Sequence, residues 1–189
     1  MDTNKNQFSQ VLIFMGCKGV GKTTLGKLLA QKYDADFYDT DDMVYTLNGK
    51  TPRQIYKEQG AASFMIAEEN ACREIIKIIR DKGQQDSEKP SNYANIVIST
   101  GGGICDNTPA LSLLRDLPSS TFIHLRYKVF SIVEKQMEVE GEYPAYITEK
   151  KPVTEEEVRD LFTKRFSRRL EQYNSFCDIC IDMKKASEN

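Results

Sequence analysis

The chain has no apolar run that approaches the roughly 20 residues of a membrane span. Its first ten residues, MDTNKNQFSQ, are too polar for a secretory signal. Both absences point to a cytosolic protein. Charge of one sign is missing too: 26 Lys and Arg against 28 Asp and Glu leave a formal net charge of −2, so nothing in the overall balance favours a polyanionic partner such as nucleic acid. Histidine is nearly absent. The only one, His124, lies within an apolar strand and reads as a packing residue of the core or sheet edge, not a catalyst. Cysteine is present five times, an odd count that argues for reduced thiols over a disulfide framework. Cys177 and Cys180 form a C-x-x-C, but with no second pair and no neighbouring histidine to complete a zinc site they read as incidental packing. At 189 residues the chain is expected to be one domain, 1–189, with a substantial core. No apolar stripe is left over once the core is assigned, so a monomer is expected.

What is present is concentrated at Val11 to Ala30, VLIFMGCKGVGKTTLGKLLA. An apolar run feeds a loop and then a helix-forming segment. The loop fits G-x-x-x-x-G-K-[ST]: Gly16, then Cys17, Lys18, Gly19 and Val20, then Gly21, Lys22 and Thr23, with Thr24 following. Glycines let backbone N–H groups turn inward around phosphates, and the helix N-terminus adds the positive end of its dipole. Residues 16–24 are therefore the expected ATP-binding loop, with Lys22 reaching the β- and γ-phosphates and Thr23 holding Mg²⁺ through its hydroxyl. Cys17 sits inside this loop and would be oxidation-sensitive if the helix end favoured its thiolate.

The rest of the chain alternates strands and helices. Strands are expected at Val11–Phe14, Ala35–Tyr38, Asn95–Thr100, Thr121–Leu125 and Ile179–Ile181. Helices are expected from about Gly21 to Tyr33, with Leu25, Leu28 and Leu29 as its core stripe, and over Met43–Leu47. Thr51-Pro52 opens another helix to about Gln59, and beyond Gly60 a long one runs from Ala61 to Asp81. Later helices fall near Pro109–Leu114, over Lys128–Glu138 and from Thr154 to about Tyr173. A polar loop is expected at about 82–93. This order means a parallel sheet covered on both faces, with ligands at the C-terminal strand ends.

Three groups meet at those ends: the phosphate loop, the carboxylates after the second strand and Gly101, Gly102 and Gly103 after the third. Phosphoryl transfer needs a cation bridging phosphates and a group that orients the attacking hydroxyl. Asp39 is assigned to the Mg²⁺ side through water, Asp41 to the acceptor hydroxyl, and Asp42 to the helix N-cap or a solvated turn. The triple glycine allows a small molecule to approach the backbone closely.

The phosphate loop, FYDTD at 37–41, the Gly60, Phe64 and Glu68 arrangement, ISTGGG at 98–103, and R-x-x-x-Y at Arg169 and Tyr173 together resemble shikimate kinase over nearly the whole chain. The resemblance implies an α/β, three-layer P-loop kinase fold of the nucleoside-monophosphate-kinase type, with sheet order 2-3-1-4-5 and a mobile lid at about 139–152. It implies transfer of the γ-phosphate of ATP to the 3-hydroxyl of shikimate. It also places Asp41 on that hydroxyl, the triple glycine along the substrate, Arg169 on the substrate carboxylate, and Lys22 with Mg²⁺ on ATP.

The sequence departs from the family on the acceptor side. Where the family has an Arg after the Phe, this chain has Met65; the Arg before the lid proline is Tyr143, ahead of Pro144; an adenine-stacking Arg becomes Lys135 or Gln136. A charge-assisted hydrogen bond contributes roughly 1.5–3 kcal/mol, so Met65 alone should weaken carboxylate binding about tenfold to a hundredfold. Three accounts follow. Lys150, Lys151, Arg165 or Arg168 supplies the missing charge; or the acceptor is a less anionic polyol against Met65; or the chain binds nucleotide with little catalysis. Arg165 and Arg168 otherwise read as a solvated helix face.

Overall fold

Segments of four to seven residues with apolar centres become five parallel strands. In the computed structural model, which describes residues 10–85, 95–126 and 154–183, they are β1 (Val11–Met15), β2 (Asp36–Asp39), β3 (Ile96–Ser99), β4 (Ser120–Arg126) and β5 (Ile179–Asp182). The sheet order is β2-β3-β1-β4-β5, as expected. Central β1 runs in register with both neighbours, Val11 beside Ile96 and Ser120, and Phe14 beside Ser99 and Ile123. The expected helix at 128–138, the lid at 139–152, Tyr143 and residues 86–93 of the expected polar loop lie outside the described residues, while residues 82–85, expected in that loop, continue the preceding helix to Gln85.

Helices cover both faces. Alternation along β1 sends Val11, Ile13 and Met15 into one cluster with Cys72, Ile75, Ile76, Ile79, Leu111, Leu114 and Tyr173. These partners come from α3 (Pro52–Gln85), α4 (Thr108–Arg115) and α5 (Glu155–Phe176). Leu12 and Phe14 face the other cluster, where Val20, Leu25, Leu29 and Ala30 bring α1 (Lys22–Tyr33) onto the sheet. Among the described residues no helix is long and apolar enough to cross a membrane.

Two local details correct the sequence reading. The buried face of α1 is Lys22, Gly26 and Ala30, while Leu28 is 59% exposed. The helix lies so close to the sheet that a Cβ on Gly26 would come within 2.7 Å of the Phe37 ring, and leucines are displaced to the flanks. The second detail is the cap of α2 (Thr40–Asn48), which is Asp39: its Oδ1 accepts from the Asp41 N–H at 2.9 Å, and Asp42 merely occupies the first turn. The two helices expected on either side of Gly60 do form as α3, joined at a kink where Gly60 has φ 84° and ψ 174°. Thr51 and Gln54 cap it reciprocally, the Gln54 side chain accepting from Thr51 N–H at 2.8 Å and Gln54 N–H donating to Thr51 Oγ1 at 3.3 Å.

Candidate active site

The phosphate loop leaves β1 through Gly16 and turns into α1 at Gly21. Gly16, Gly19 and Gly21 have φ of 140°, 82° and 98°, and a Cβ on Gly16 would sit 2.5 Å from the Leu125 carbonyl oxygen. Lys22 folds back over this turn. Its Nζ donates to the carbonyls of Gly16 at 2.8 Å and Cys17 at 3.0 Å. Burial lowers its pKa, countered by Asp41, Cys17 and Asp39, so the ammonium sits where an anion would be welcome. The Cys17 thiol is pushed up by its burial, with Arg169 and Lys22 opposing, a shift that disfavours the thiolate.

Beside the loop, Thr23 Oγ1 donates to Asp39 Oδ2 at 2.8 Å and lies 3.2 Å from Ser99 Oγ. These are hard oxygen donors on three converging elements, a set that fits Mg²⁺ better than any softer cation. Asp39 thus has two tasks, one oxygen capping α2 and the other facing Thr23. Ser99 escaped the sequence reading; its only signal is a hydroxyl at the end of an otherwise apolar strand. Thr40, between the two motif aspartates, is fully buried and accepts from the Gly101 N–H at 2.9 Å, which locks the acidic turn to the triple glycine.

The triple glycine is where the separate segments touch. A Cβ on Gly101 would meet Asp41 Oδ1 at 2.7 Å and Glu68 Oε1 at 2.9 Å; one on Gly102 would meet the Lys18 backbone nitrogen at 2.6 Å; one on Gly103 would meet Arg169 Nη2 at 3.1 Å. The loop therefore admits close neighbours from the phosphate loop, α2, α3 and α5. Lys22, Thr23, Asp39, Asp41, Gly101–Gly103 and Arg169 are gathered at the C-terminal strand ends.

Two carboxyls stand there, Asp41 half-buried and Glu68 buried. Burial, then the neighbouring Asp39 charge, raises Asp41 to about 6, against the pull of Lys22 and Lys18. Glu68, on α3, is 1% exposed and raised by burial to about 7, although it accepts a hydrogen bond from Asn107 Nδ2 at 3.0 Å. Its other oxygen, Oε1, has no hydrogen-bond partner among the described residues. Asn107 also donates to the Met65 carbonyl at 2.8 Å and caps α4 through the Ala110 N–H at 3.3 Å, so it fixes the α3 turn carrying Met65 and Glu68. Asn107-Thr108-Pro109 is a readable helix-start signal; its link to Glu68 is not. Met65 itself is half-buried.

Arg169 reaches the strand ends from α5. Its Nε and Nη2 donate to Asp106 Oδ2 at 3.1 and 2.8 Å, and its Nη1 donates to the Gly102 carbonyl at 3.1 Å. Tyr173, one turn later and fully buried, donates to the same carbonyl at 2.9 Å. The R-x-x-x-Y spacing therefore puts two donors on one oxygen of the triple glycine. Arg165 and Arg168 also pair with Asp106, at 3.4 and 2.9 Å, so they are not simply a solvated face. Burial alone would raise the Asp106 carboxyl, but Arg169, then Arg165 and Arg168, hold it below the ordinary carboxylate value.

The shikimate kinase family profile matches residues 18–189 of this sequence. The chain belongs to the shikimate kinase family. Shikimate kinase of Aquifex aeolicus is 31% identical over 110 residues, 58% of this chain and 56% of that protein. Shikimate kinase of Azobacteroides pseudotrichonymphae is 29% identical over 180 residues, 94% of this chain and 92% of that one. The first curated relatives are matched over only 56%, 52% and 64% of their own length. Among solved structures, shikimate kinase of Bacteroides thetaiotaomicron superposes with a TM-score of 0.71 at 20% identity, covering 95% of this chain and 90% of that one, a likeness of fold. As a shikimate kinase family member, the chain combines the family's phosphate loop with Met65 where the resemblance called for an arginine.

Proposed function

We propose that this chain transfers the γ-phosphate of ATP to the 3-hydroxyl of shikimate, giving ADP and shikimate 3-phosphate, as a monomer in the cytosol that uses neither membrane nor nucleic acid. The observation that carries this reading is the close approach of the phosphate loop to the triple glycine, the Lys18 backbone against Gly102, with Asp41 beside Gly101 and Arg169 beside Gly103. Donor and acceptor groups share one end of the sheet.

The residues divide the work as follows. Lys22 exchanges its loop carbonyls for the β- and γ-phosphates of ATP, which residues 16–24 cradle. Thr23, and Asp39 through water, would hold Mg²⁺, which when bound would supply positive charge to offset the negative charge of the transferring group. Asp41, with a pKa of about 6, is mostly ionised at neutral pH and accepts the proton of the 3-hydroxyl as its oxygen attacks phosphorus. Gly101, Gly102 and Gly103 line the acceptor, Met65 contributes an apolar wall, and Arg169 meets the carboxylate. Arg165 and Arg168, gathered with Arg169 around Asp106, supply the positive field that the Met65 position lacks.

A second reading keeps the donor half and changes the acceptor. Met65 is apolar and Arg169 already engages Asp106, which favours a less anionic hydroxylated small molecule. Coupled ADP release with ATP, Mg²⁺ and shikimate distinguishes the two. Turnover that depends on shikimate supports the first reading. Absence of turnover at millimolar shikimate, with ATP binding intact, rejects it and hands the question to a panel of sugars and polyols.

A further inference from the structure

The C-x-x-C at the end of the chain has a neighbour that its sequence does not reveal. Parallel pairing sets His124 of β4 directly beside Cys180 of β5, while Cys177 caps the C-terminus of α5 two residues before β5 begins. The two sulfurs are 3.1 Å apart. One ligand atom from each of His124, Cys177 and Cys180 lies within 4.8 Å of the others. Asn174 ties the three together: its Oδ1 accepts from His124 Nδ1–H at 3.0 Å and from the Cys180 thiol at 3.7 Å, and its backbone carbonyl accepts from the Cys177 thiol at 3.7 Å. His124 is almost fully buried, Cys177 half-buried and Cys180 exposed, so the cluster has a fixed floor and an open mouth. The expectation that no histidine stands near the pair is thereby corrected.

We propose that His124, Cys177 and Cys180 form a binding site for a borderline-soft divalent cation of the zinc class. Two thiolates and one imidazole are a common zinc donor set, with Zn–S about 2.3 Å and Zn–N about 2.0–2.1 Å. Tetrahedral angles at those lengths put the sulfurs roughly 3.8 Å apart and each sulfur roughly 3.6 Å from the nitrogen. The observed cluster needs side-chain rotations that shift its ligand atoms by about an ångström to reach that shape, and its open side leaves the fourth position to water. Magnesium does not compete, because thiolates suit it poorly. Binding releases one proton from each thiol, and the two thiolates formed balance the divalent charge.

The site has a mechanical consequence. The His124 ring lies 4.8 Å from that of Tyr173, whose hydroxyl holds the Gly102 carbonyl. A cation here clamps the end of α5 to β4 and β5, the last strand being exposed along its length. The pair is not arranged as a redox motif: burial and the hydrogen-bonded contact with Cys180 push the Cys177 thiol up to about 11, and it lies at a helix C-terminus instead of an N-terminus.

Co²⁺, a spectroscopic stand-in for zinc, tests this in the full chain, reduced with a phosphine under nitrogen and free of nucleotide. The expected result is one equivalent bound with thiolate-to-cobalt charge-transfer bands, bleached when Zn²⁺ is added. Cys180→Ser, at an exposed position, should keep the native circular dichroism and bind cobalt roughly a hundredfold more weakly or worse. Zn²⁺ should raise the melting temperature of the parent and leave that of Cys180→Ser unchanged. No thiolate band in the parent, or the same band in both Cys177→Ser and Cys180→Ser, would overturn the proposal. The readout involves no catalysis, so it stands or falls apart from the kinase reading.

Discussion

The two halves of the candidate site are built differently. The ATP side is local: Gly16 to Thr24 is one unbroken stretch, and Lys22 closes it with bonds to carbonyls five and six residues away. The acceptor side is assembled from Asp41, Met65, Glu68, the triple glycine and Arg169, drawn from α2, α3, the loop after β3 and α5. A local motif tolerates change elsewhere in the chain. A composite surface changes character with one substitution, and Met65 stands where the resemblance called for an arginine.

Breaking the local half should have the largest effect. Lys22→Met is expected to lower kcat by 10²–10³ or more with any acceptor, since it removes a preorganised charge from the phosphates; steady-state kinetics checks this. Asp41→Asn comes next, with a loss of about 10²–10⁴ in kcat/KM. In the parent, kcat/KM should fall about tenfold per pH unit below pH 6 as Asp41 takes up a proton, and that acid limb should vanish in Asp41→Asn.

The composite half should respond in the opposite direction. Met65→Arg is expected to lower the KM for shikimate about tenfold, by restoring one charge-assisted hydrogen bond, with little change in the KM for ATP. The smallest effect is on stability. Burial gives Glu68 a folded-state value of about 7 against 4.5 for the free group, so between those values the folded chain binds more protons than the unfolded chain and loses stability as pH rises. Glu68→Gln removes the buried charge and should raise the melting temperature by a few degrees at pH 8 but hardly at pH 4, as followed by circular dichroism.

The strands and the phosphate loop were legible because their signals are short-range. Val11–Met15 is apolar throughout, Gly21-Lys22-Thr23 punctuates it, and sheet order came with the family resemblance. What escaped depends on contacts between distant segments. Of the leucine stripe, Leu25 and Leu29 pack against the core from the flanks, but Leu28 is exposed, and Gly26 and Ala30 are buried where the helix comes closest to the sheet. Asp42 and Asp39 are equally good caps by type; the backbone chose Asp39. Arg165 and Arg168 gained their partner from Asp106, about 60 residues earlier, and His124 reached the C-x-x-C only through the β4–β5 pairing. Glu68 was visible within the resemblance, but its buried, half-satisfied carboxyl could be seen only once α3, Asn107 and Gly101 were in place.

The central claim is that a complete ATP half serves an acceptor half that still takes shikimate. Two-dimensional ¹H–³¹P NMR of a mixture of the protein with ATP, Mg²⁺ and shikimate tests it most directly. The account predicts a new phosphorus resonance coupled to the proton on carbon 3 of shikimate, appearing in step with ADP. Unaltered shikimate, in a sample whose protein demonstrably binds ATP, would contradict it.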